Sequence, residues 1–312
     1  METLKILFLA SHWRVSLVKA FQDAKPPIEP ICADSDPLSP SLRQADHSEV
    51  IPLFSDPQCL KAVLELCETA NVCALVPLTN KSIEFIAQHR NELQAENRRL
   101  WIPDDRAIDI CHDKWKLFEF LSNEGFETPP TFLAGKTGVP FPLIAKPRRG
   151  EGSKNLFVIE DIDELKYYTH KCPDHVFQKR ITGQEFSVDV FCGKEGEPGL
   201  VVPRERLAVR GGEVMVSRIN MDKKIIERVQ ALVAKLGLTG PCTIQGFKDG
   251  ELFYFTDVNL RFGSGYVHTI NAGGNVPLMM YKELTGQEFD SENLDIKDQS
   301  VMTRYPESVF HH

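Results

Sequence analysis

In the stretch FTDVNLRFGSG, residues 255–265, Asp257, Asn259 and Arg261 occupy every second position of an otherwise apolar run. Side chains alternate across a strand, so these three project from one face. A carboxylate, an amide and a guanidinium in a row are costly to bury without partners. Carboxylate and amide oxygens suit Mg2+ or Mn2+, with water and phosphate completing the shell. A polar solvent face would show the same alternation, but the run LRFGSG leading into GYVHTINAGGN makes a bare surface strand less natural. Upstream, Asp249-Gly250 marks a hairpin. A three-residue loop, Lys248-Asp249-Gly250 with Gly250 in the left-handed region, pairs Phe247 with Glu251. Gln245 then shares the face of Asp257 and Asn259 and joins them as a candidate metal ligand.

Two further stretches carry candidate chemistry. In PLIAKPRRGEGSKNL, 142–156, a strand ends at Lys146-Pro147 and enters a loop with Gly150, Gly152 and Ser153. Glycines let backbone N–H groups approach an anion, and Lys146, Arg148 and Arg149 add positive charge. This reads as a phosphate-covering loop or as a hairpin with a solvated basic tip. In QKRITGQEF, 178–186, a strand breaks at Gly183 and restarts with Glu185. Such a break can offer backbone groups to an adenine edge, and its carboxylate can accept from ribose hydroxyls; an ordinary loop with a surface glutamate would look alike. Arg204, Arg206 and Arg210 alternate on one strand, as an anion grip or a solvated basic face. His268 and Asn271 suit an acceptor pocket, or the histidine a satisfied place in the core.

The elements that must position these residues fall into two textures. Residues 1 to about 110 alternate strand and helix, from KILFLA and RVSLVKAFQDA to KSIEFIAQHRNEL and RLWIP. That alternation implies a parallel sheet with crossover helices. The first turn, ASHWR, lacks GxGxxG, and no GxxxxGK[ST] occurs anywhere. From DKWKLFEFLSNEG, 113–125, strand-like runs dominate, interrupted by DIDELKYYTHK and DKKIIERVQALVAKLG. An antiparallel α+β second half fits. The chain has 312 residues, is 42% hydrophobic and carries a net charge of −8, so it can bury a sizeable core. That charge argues against a broad nucleic-acid or anionic-membrane surface. No apolar run reaches transmembrane length, and LKILFLA reads as a first strand rather than a signal core. The eight cysteines show no CxxC and read as reduced core thiols of a cytoplasmic protein.

The order of these motifs is informative: DK, then strand-KP-glycine loop, then QKxIxGxE, then Q…D-x-N-x-R. It resembles the ATP-grasp superfamily, in particular proteins similar to the carbamoyl-phosphate synthase large subunit, over nearly the whole chain. The resemblance implies an α/β plus α+β fold. A Rossmann-like domain over 1–110 would precede an ATP-grasp fold with a lid subdomain at 111–182 and a metal-bearing subdomain at 183–312. It implies that Lys114 and Lys146 reach the phosphates and adenine of ATP, and that Gly150, Gly152 and Ser153 form the lid. Gln178, Lys179 and Ile181 match the adenine hinge and Glu185 the ribose carboxylate. Gln245, Asp257 and Asn259 match the Mg2+ (or Mn2+) positions, and Arg261 the arginine that steadies the transferred phosphoryl group; Arg261, Asp257 and Asn259 form the catalytic row. Aspartate stands at 257 where the family usually carries glutamate, and glutamine at 178 where glutamate is common. The expected activity is ATP-dependent joining of a small-molecule carboxylate to an amine through an acyl phosphate. A kinase of the same architecture and a non-catalytic ATP-binding regulatory subunit remain alternatives. A homodimer is an open possibility; nucleic acid and membrane are not expected partners.

Overall fold

The computed structural model describes residues 3–94, 98–136, 138–152, 155–288 and 294–310. Ser153 lies outside the described residues.

The first part of the chain runs β1 (Leu4–Leu9), α1 (Val15–Gln22), β2 (Ile28–Asp34), α2 (Pro40–Gln44), β3 (His47–Val50), α3 (Cys59–Thr69), β4 (Ala74–Pro77), α4 (Asn80–Gln88), α5 (Arg90–Leu93) and β5 (Arg99–Leu100). The strands form a parallel sheet in the order β3-β2-β1-β4-β5. Both faces of β1 are buried from Ile6 to Leu9, which is why LKILFL reads as a continuous apolar run. Chain order reverses between β1 and β4, so a crevice opens beyond their carboxyl ends.

Next come α6 (Asp105–His112), α7 (Lys114–Asn123), β6 (Thr131–Leu133), β7 (Leu143–Pro147), β8 (Phe157–Ile159), α8 (Ile162–Lys171) and β9 (His175–Lys179). The four strands make an antiparallel sheet in the order β6-β9-β7-β8. The remainder is β10 (Gln184–Cys192), β11 (Pro198–Arg210), β12 (Glu213–Ile219), α9 (Lys223–Leu236), β13 (Gly240–Asp249), β14 (Leu252–Asn259), α10 (Tyr266–Asn271), α11 (Val276–Leu284) and β15 (Val301–Thr303). Its strands pair antiparallel in the order β14-β13-β10-β11-β12-β15.

Helix α9 shows how the sequence sets this layer. Asp222 caps it by accepting from the N–H groups of Lys224 and Ile225, and Gly237 ends it at φ 64°. Ile225, Val229, Leu232, Val233 and Leu236 recur at helical spacing and are buried. They share a core with Val188, Val190, Ile244 and Val258 of the large sheet. The residues between those apolar positions turn to the opposite face, and those residues are polar.

The β13–β14 hairpin differs from the expected register. Its loop is the two residues Gly250 and Glu251, because Asp249 pairs with Leu252. Gly250 does adopt positive φ, at 58°. That register alone would turn Gln245 and Asp257 to opposite faces. A bulge restores them: Gly246 pairs with Phe255 but Gln245 pairs with Asp257, so Thr256 is extra. Gln245 and Asp257 therefore lie directly opposite each other on one face, by a different route from the one read in the sequence. Among the described residues no helix is long and apolar enough to cross a membrane.

Candidate active site

The polar face of the large sheet forms cross-strand rows. One runs Asp257–Gln245–Ser187–Arg204 over β14, β13, β10 and β11. The next runs Asn259–Thr243–Asp189. This face walls a cavity of about 670 Å3. Lys114, Lys146, Gly150, Gly152, Gln245, Asp257, Asn259 and Arg261 all line it.

Local structure explains how the two lysines arrive together. Asp113 caps α7 by accepting from Trp115 N–H at 2.9 Å, which sets Lys114 at the first helical position. The same carboxylate takes Arg148 Nη2 at 2.6 Å, and Lys114 N–H donates to Arg148 O at 3.0 Å. Burial raises the Asp113 pKa, but the Arg148 contact and the helix N–H groups outweigh it and hold the carboxyl below its usual range. The start of α7 is thus clamped to the end of β7, two residues beyond Lys146.

Lys146 Nζ lies 3.2 Å from Asp257 Oδ2 and Lys114 Nζ lies 3.6 Å from Asp257 Oδ1. Lys146 also donates to the carbonyl of Thr256 at 3.2 Å, so the bulge residue serves as an acceptor. Burial pushes the Lys146 pKa down, with Asp257 opposing and Lys114 adding to the fall. For Asp257, burial raises the pKa, yet the two lysines more than offset it and keep the carboxylate ionised. Lys114 Nζ further donates to Gly150 O at 3.2 Å, tethering the glycine loop. Beyond it, Glu151 accepts from Arg261 Nη2 at 2.9 Å and from the N–H of Asn80, which opens α4, at 3.5 Å. Among the described residues Arg261 Nε is buried without a hydrogen-bond partner.

Deeper in the face, Arg204 and Asp189 form a bidentate pair at 2.7 and 2.9 Å, 1% and 0% exposed. Thr243 and Thr269 complete the Asp189 shell at 3.1 and 2.6 Å. Among the described residues Arg204 Nη1 is left without a partner, beside Gly265, where a Cβ would come within 2.6 Å of it. Arg206 lines the cavity too, with its Nε 3.2 Å from Glu185 Oε1. Burial raises the Glu185 pKa while Arg206 opposes the rise.

The adenine-hinge candidates sit elsewhere. Gln178, Lys179 and Ile181 do not line the cavity; nor does the ribose-carboxylate candidate Glu185, which lies next to it on β10 against the lining Arg206. Gln178 is buried between β6 and β7 and donates to Thr131 Oγ1 at 2.9 Å. The Lys179 N–H is taken by Pro130 O at 2.8 Å, and Lys179 Nζ by Phe141 O at 2.6 Å. Arg210 is exposed and away from the cavity. His268 is a satisfied core histidine, between Ser217 Oγ at 2.9 Å and Ser300 Oγ at 3.2 Å; Asn271 is exposed.

The cavity holds residues the sequence reading passed over: Arg14, Asn80, Lys81, His112, Glu151 and Ser187. For Ser187 and the buried Asp189 a signal existed. Glu185, Ser187 and Asp189 repeat the every-second-residue polar pattern seen at 257–261.

The donor set tests whether ATP and a divalent ion fit. Among the described residues eight lysine and arginine side chains line one cavity under a glycine loop, which suits a polyphosphate. Among the described residues no three His, Cys, Asp or Glu side chains group as a metal cage. Asp257, with amide oxygens of Asn259 and Gln245, could hold Mg2+ in the manner of an ion that keeps phosphate and water as most of its ligands.

A parallel sheet followed by two antiparallel sheets, with lysines and a D-x-N-x-R row converging on one cavity, is the architecture of an ATP-grasp protein. Residues 111–265 match the family described as ATP-grasp domain, and residues 6–100 match PylC-like, N-terminal domain. The chain belongs to the ATP-grasp superfamily and carries a PylC-like N-terminal domain. It is 27% identical over 275 residues to carbamoyl-phosphate synthase of Methanobrevibacter smithii, covering 80% of this chain and 72% of that protein. With the carbamoyl phosphate synthase large chain of Helicobacter pylori it shares 22% identity over 272 residues, 77% of this chain and 24% of the other. The chain thus spans about a quarter of that large chain. An N5-carboxyaminoimidazole synthetase from Staphylococcus aureus, solved with ADP, superposes with a TM-score of 0.77 at 16% identity, covering 98% of this chain and 83% of that one.

Proposed function

We propose that the protein is an ATP-dependent carboxylate–amine ligase that works through an acyl phosphate and releases ADP and phosphate. What supports this reading is the convergence of Lys114, Lys146, Asp257 and Arg261 on one cavity beneath the glycine loop of an ATP-grasp fold. Its relatives named above include a carbamoyl-phosphate synthase.

In this reading the lysines and Arg261 exchange their present partners, Asp257 and Glu151, for phosphate oxygens. The substrate carboxylate attacks the γ-phosphorus and ADP leaves. Arg261 stabilises charge on the phosphoryl group during transfer. The amine then attacks the acyl carbon, and phosphate departs as the amide forms. Bound Mg2+, held by Asp257, Asn259 and Gln245, would supply charge neutralisation along the phosphates. Closure of the loop at Gly150–Gly152 keeps water from the mixed anhydride. We assign the adenine-facing hinge to Gln178–Ile181, at the end of β9, and the ribose carboxylate to Glu185, on β10 of the large sheet beside the cavity-lining Arg206. The thiol state of the cysteines suits a cytoplasmic setting.

The test is a screen of carboxylate and amine pairs with ATP and Mg2+, with products read by mass spectrometry. ADP, phosphate and an amide in equal amounts are expected. AMP and pyrophosphate would reject the mechanism. ADP with a stable phosphorylated product and no need for amine would make the protein a kinase. Tight ATP binding without turnover would make it a regulatory subunit.

A further inference from the structure

The cavity has a second wall. Arg14 stands at the start of α1, just beyond the carboxyl end of β1; Asn80 and Lys81 open α4, just beyond the carboxyl end of β4. These are the two strands flanking the switch in chain order, and all three residues line the cavity with Arg261. Sequence places them far apart, and none belongs to the motifs above.

The charges on this wall do not close among themselves. Burial first, and the neighbouring Arg261 guanidinium next, pull the Arg14 pKa down to about 10. Glu213 and Glu151 oppose that fall and Arg304 adds to it. Both carboxylates are already engaged, Glu213 with Arg304 at 3.4 Å and Glu151 with Arg261 at 2.9 Å. Among the described residues the Arg14 side chain makes no hydrogen bond or ion pair, and Lys81 makes no ion pair. Among the described residues the buried side-chain oxygen of Asn80 has no partner, so it is free to accept from a ligand N–H or O–H while its NH2 group is the part that can donate to an anion. A cationic fork half-buried beside another arginine is costly unless an anion answers it. Arginine presents parallel N–H donors that match a carboxylate or phosphate.

We propose that Arg14, with Lys81 and the Asn80 amide, is an oxyanion subsite that selects a carboxylate substrate carrying a second anionic group, a carboxylate or a phosphate, besides the one that reacts. This rests on the ligase reading for the identity of the reacting group. The reacting carboxylate meets Arg261; the second anion meets Arg14 on the facing wall.

The test is calorimetric titration of the full chain saturated with Mg-ADP. The probes are succinate, glutarate and 3-phosphoglycerate, each beside its neutral-ended counterpart: succinamate, glutaramate and glycerate. The unsubstituted protein is expected to bind at least one anionic member about tenfold or more tightly than its counterpart. Arg14→Ala should erase that preference, and Arg14→Lys should keep part of it by retaining charge without the fork. Retained Mg-ADP affinity reports that each variant is folded; if Arg14→Ala is not, Arg14→Lys and Lys81→Ala carry the test. A preference for phosphate-ended over carboxylate-ended probes identifies the anion. Equal affinity within every pair, no binding of any probe, or the same preference in Arg14→Ala overturns the subsite. So does Arg14→Ala weakening Mg-ATP but not Mg-ADP, which would place Arg14 on the γ-phosphate. Failure of the ligase reading looks different: the preference and its loss in Arg14→Ala would stand, while no amine in the screen gave an amide.

Discussion

Asp189 and Arg204 illustrate what a buried polar pair does beneath a reactive surface. Each is nearly sealed from water, and Thr243 and Thr269 use the remaining lone pairs of the carboxylate. Removing one partner strands the other, so Asp189→Ala should destabilise the fold by about 3–5 kcal/mol. Chemical denaturation measures it; a loss below about 1 kcal/mol would show that the pair is not what holds this face together. His268 gives a pH dependence. Burial, reinforced by Arg204, lowers its pKa to about 4 from an ordinary 6.5. Between those values the unfolded chain takes up a proton that the folded chain refuses. Stability from this residue is therefore complete above pH 6.5 and declines as pH falls towards 4, by on the order of 3 kcal/mol. His268→Gln should flatten that slope in denaturation midpoints taken across the window, and an unchanged slope would contradict it. At this scale the sequence was readable where polar residues recur with period two, as at 257–261. It was silent where a residue acts across the chain. Nothing near Arg14 signals Arg261, and nothing near Glu151 signals Asn80.

Elements carry the next lesson. The turn at Asp249-Gly250 was legible from its dipeptide, and the shared face of Gln245 and Asp257 from the need for oxygen ligands. The way the two are reconciled was not, because a bulge at Thr256 has no residue signature of its own and follows from the packing on either side of it. Helices α6, α10 and α11 also escaped the reading: all three are short, α6 and α11 are set by their caps Asp104 and Asn275, and α10, which has no side-chain cap, by tertiary contact, more than by a long apolar period. The glycine loop has a consequence for binding. Its Glu151 carboxylate occupies Arg261, the side chain expected to meet the transferred phosphoryl group. The ion pair must break before a phosphate can take its place. Glu151→Gln removes the competing charge and should tighten Mg-ATP binding up to about fivefold, since a partly exposed ion pair contributes up to about 1 kcal/mol. Calorimetry decides; weaker binding in the variant would mean that Glu151 helps to hold the nucleotide instead.

For the whole molecule, the cavity is made by sheets contributed from opposite ends of the chain. The parallel sheet was evident from alternating strand and helix patterns, and the antiparallel half from the run of strands after residue 125. What lay beyond the sequence was their juxtaposition, which brings the carboxyl ends of β1 and β4 to face the row on β14. The proposed chemistry needs that juxtaposition, because one wall holds the phosphates and the other the acceptor. Oxygen tracing tests the proposal at its root. A carboxylate substrate identified by the screen is labelled with 18O in its carboxyl group and incubated with ATP, Mg2+ and the amine. Attack by the carboxylate on the γ-phosphorus leaves one carboxyl oxygen on the phosphate when the amide forms. Released phosphate should therefore carry one 18O for each amide produced. Unlabelled phosphate beside labelled amide would contradict an acyl phosphate and show that ATP is cleaved by water.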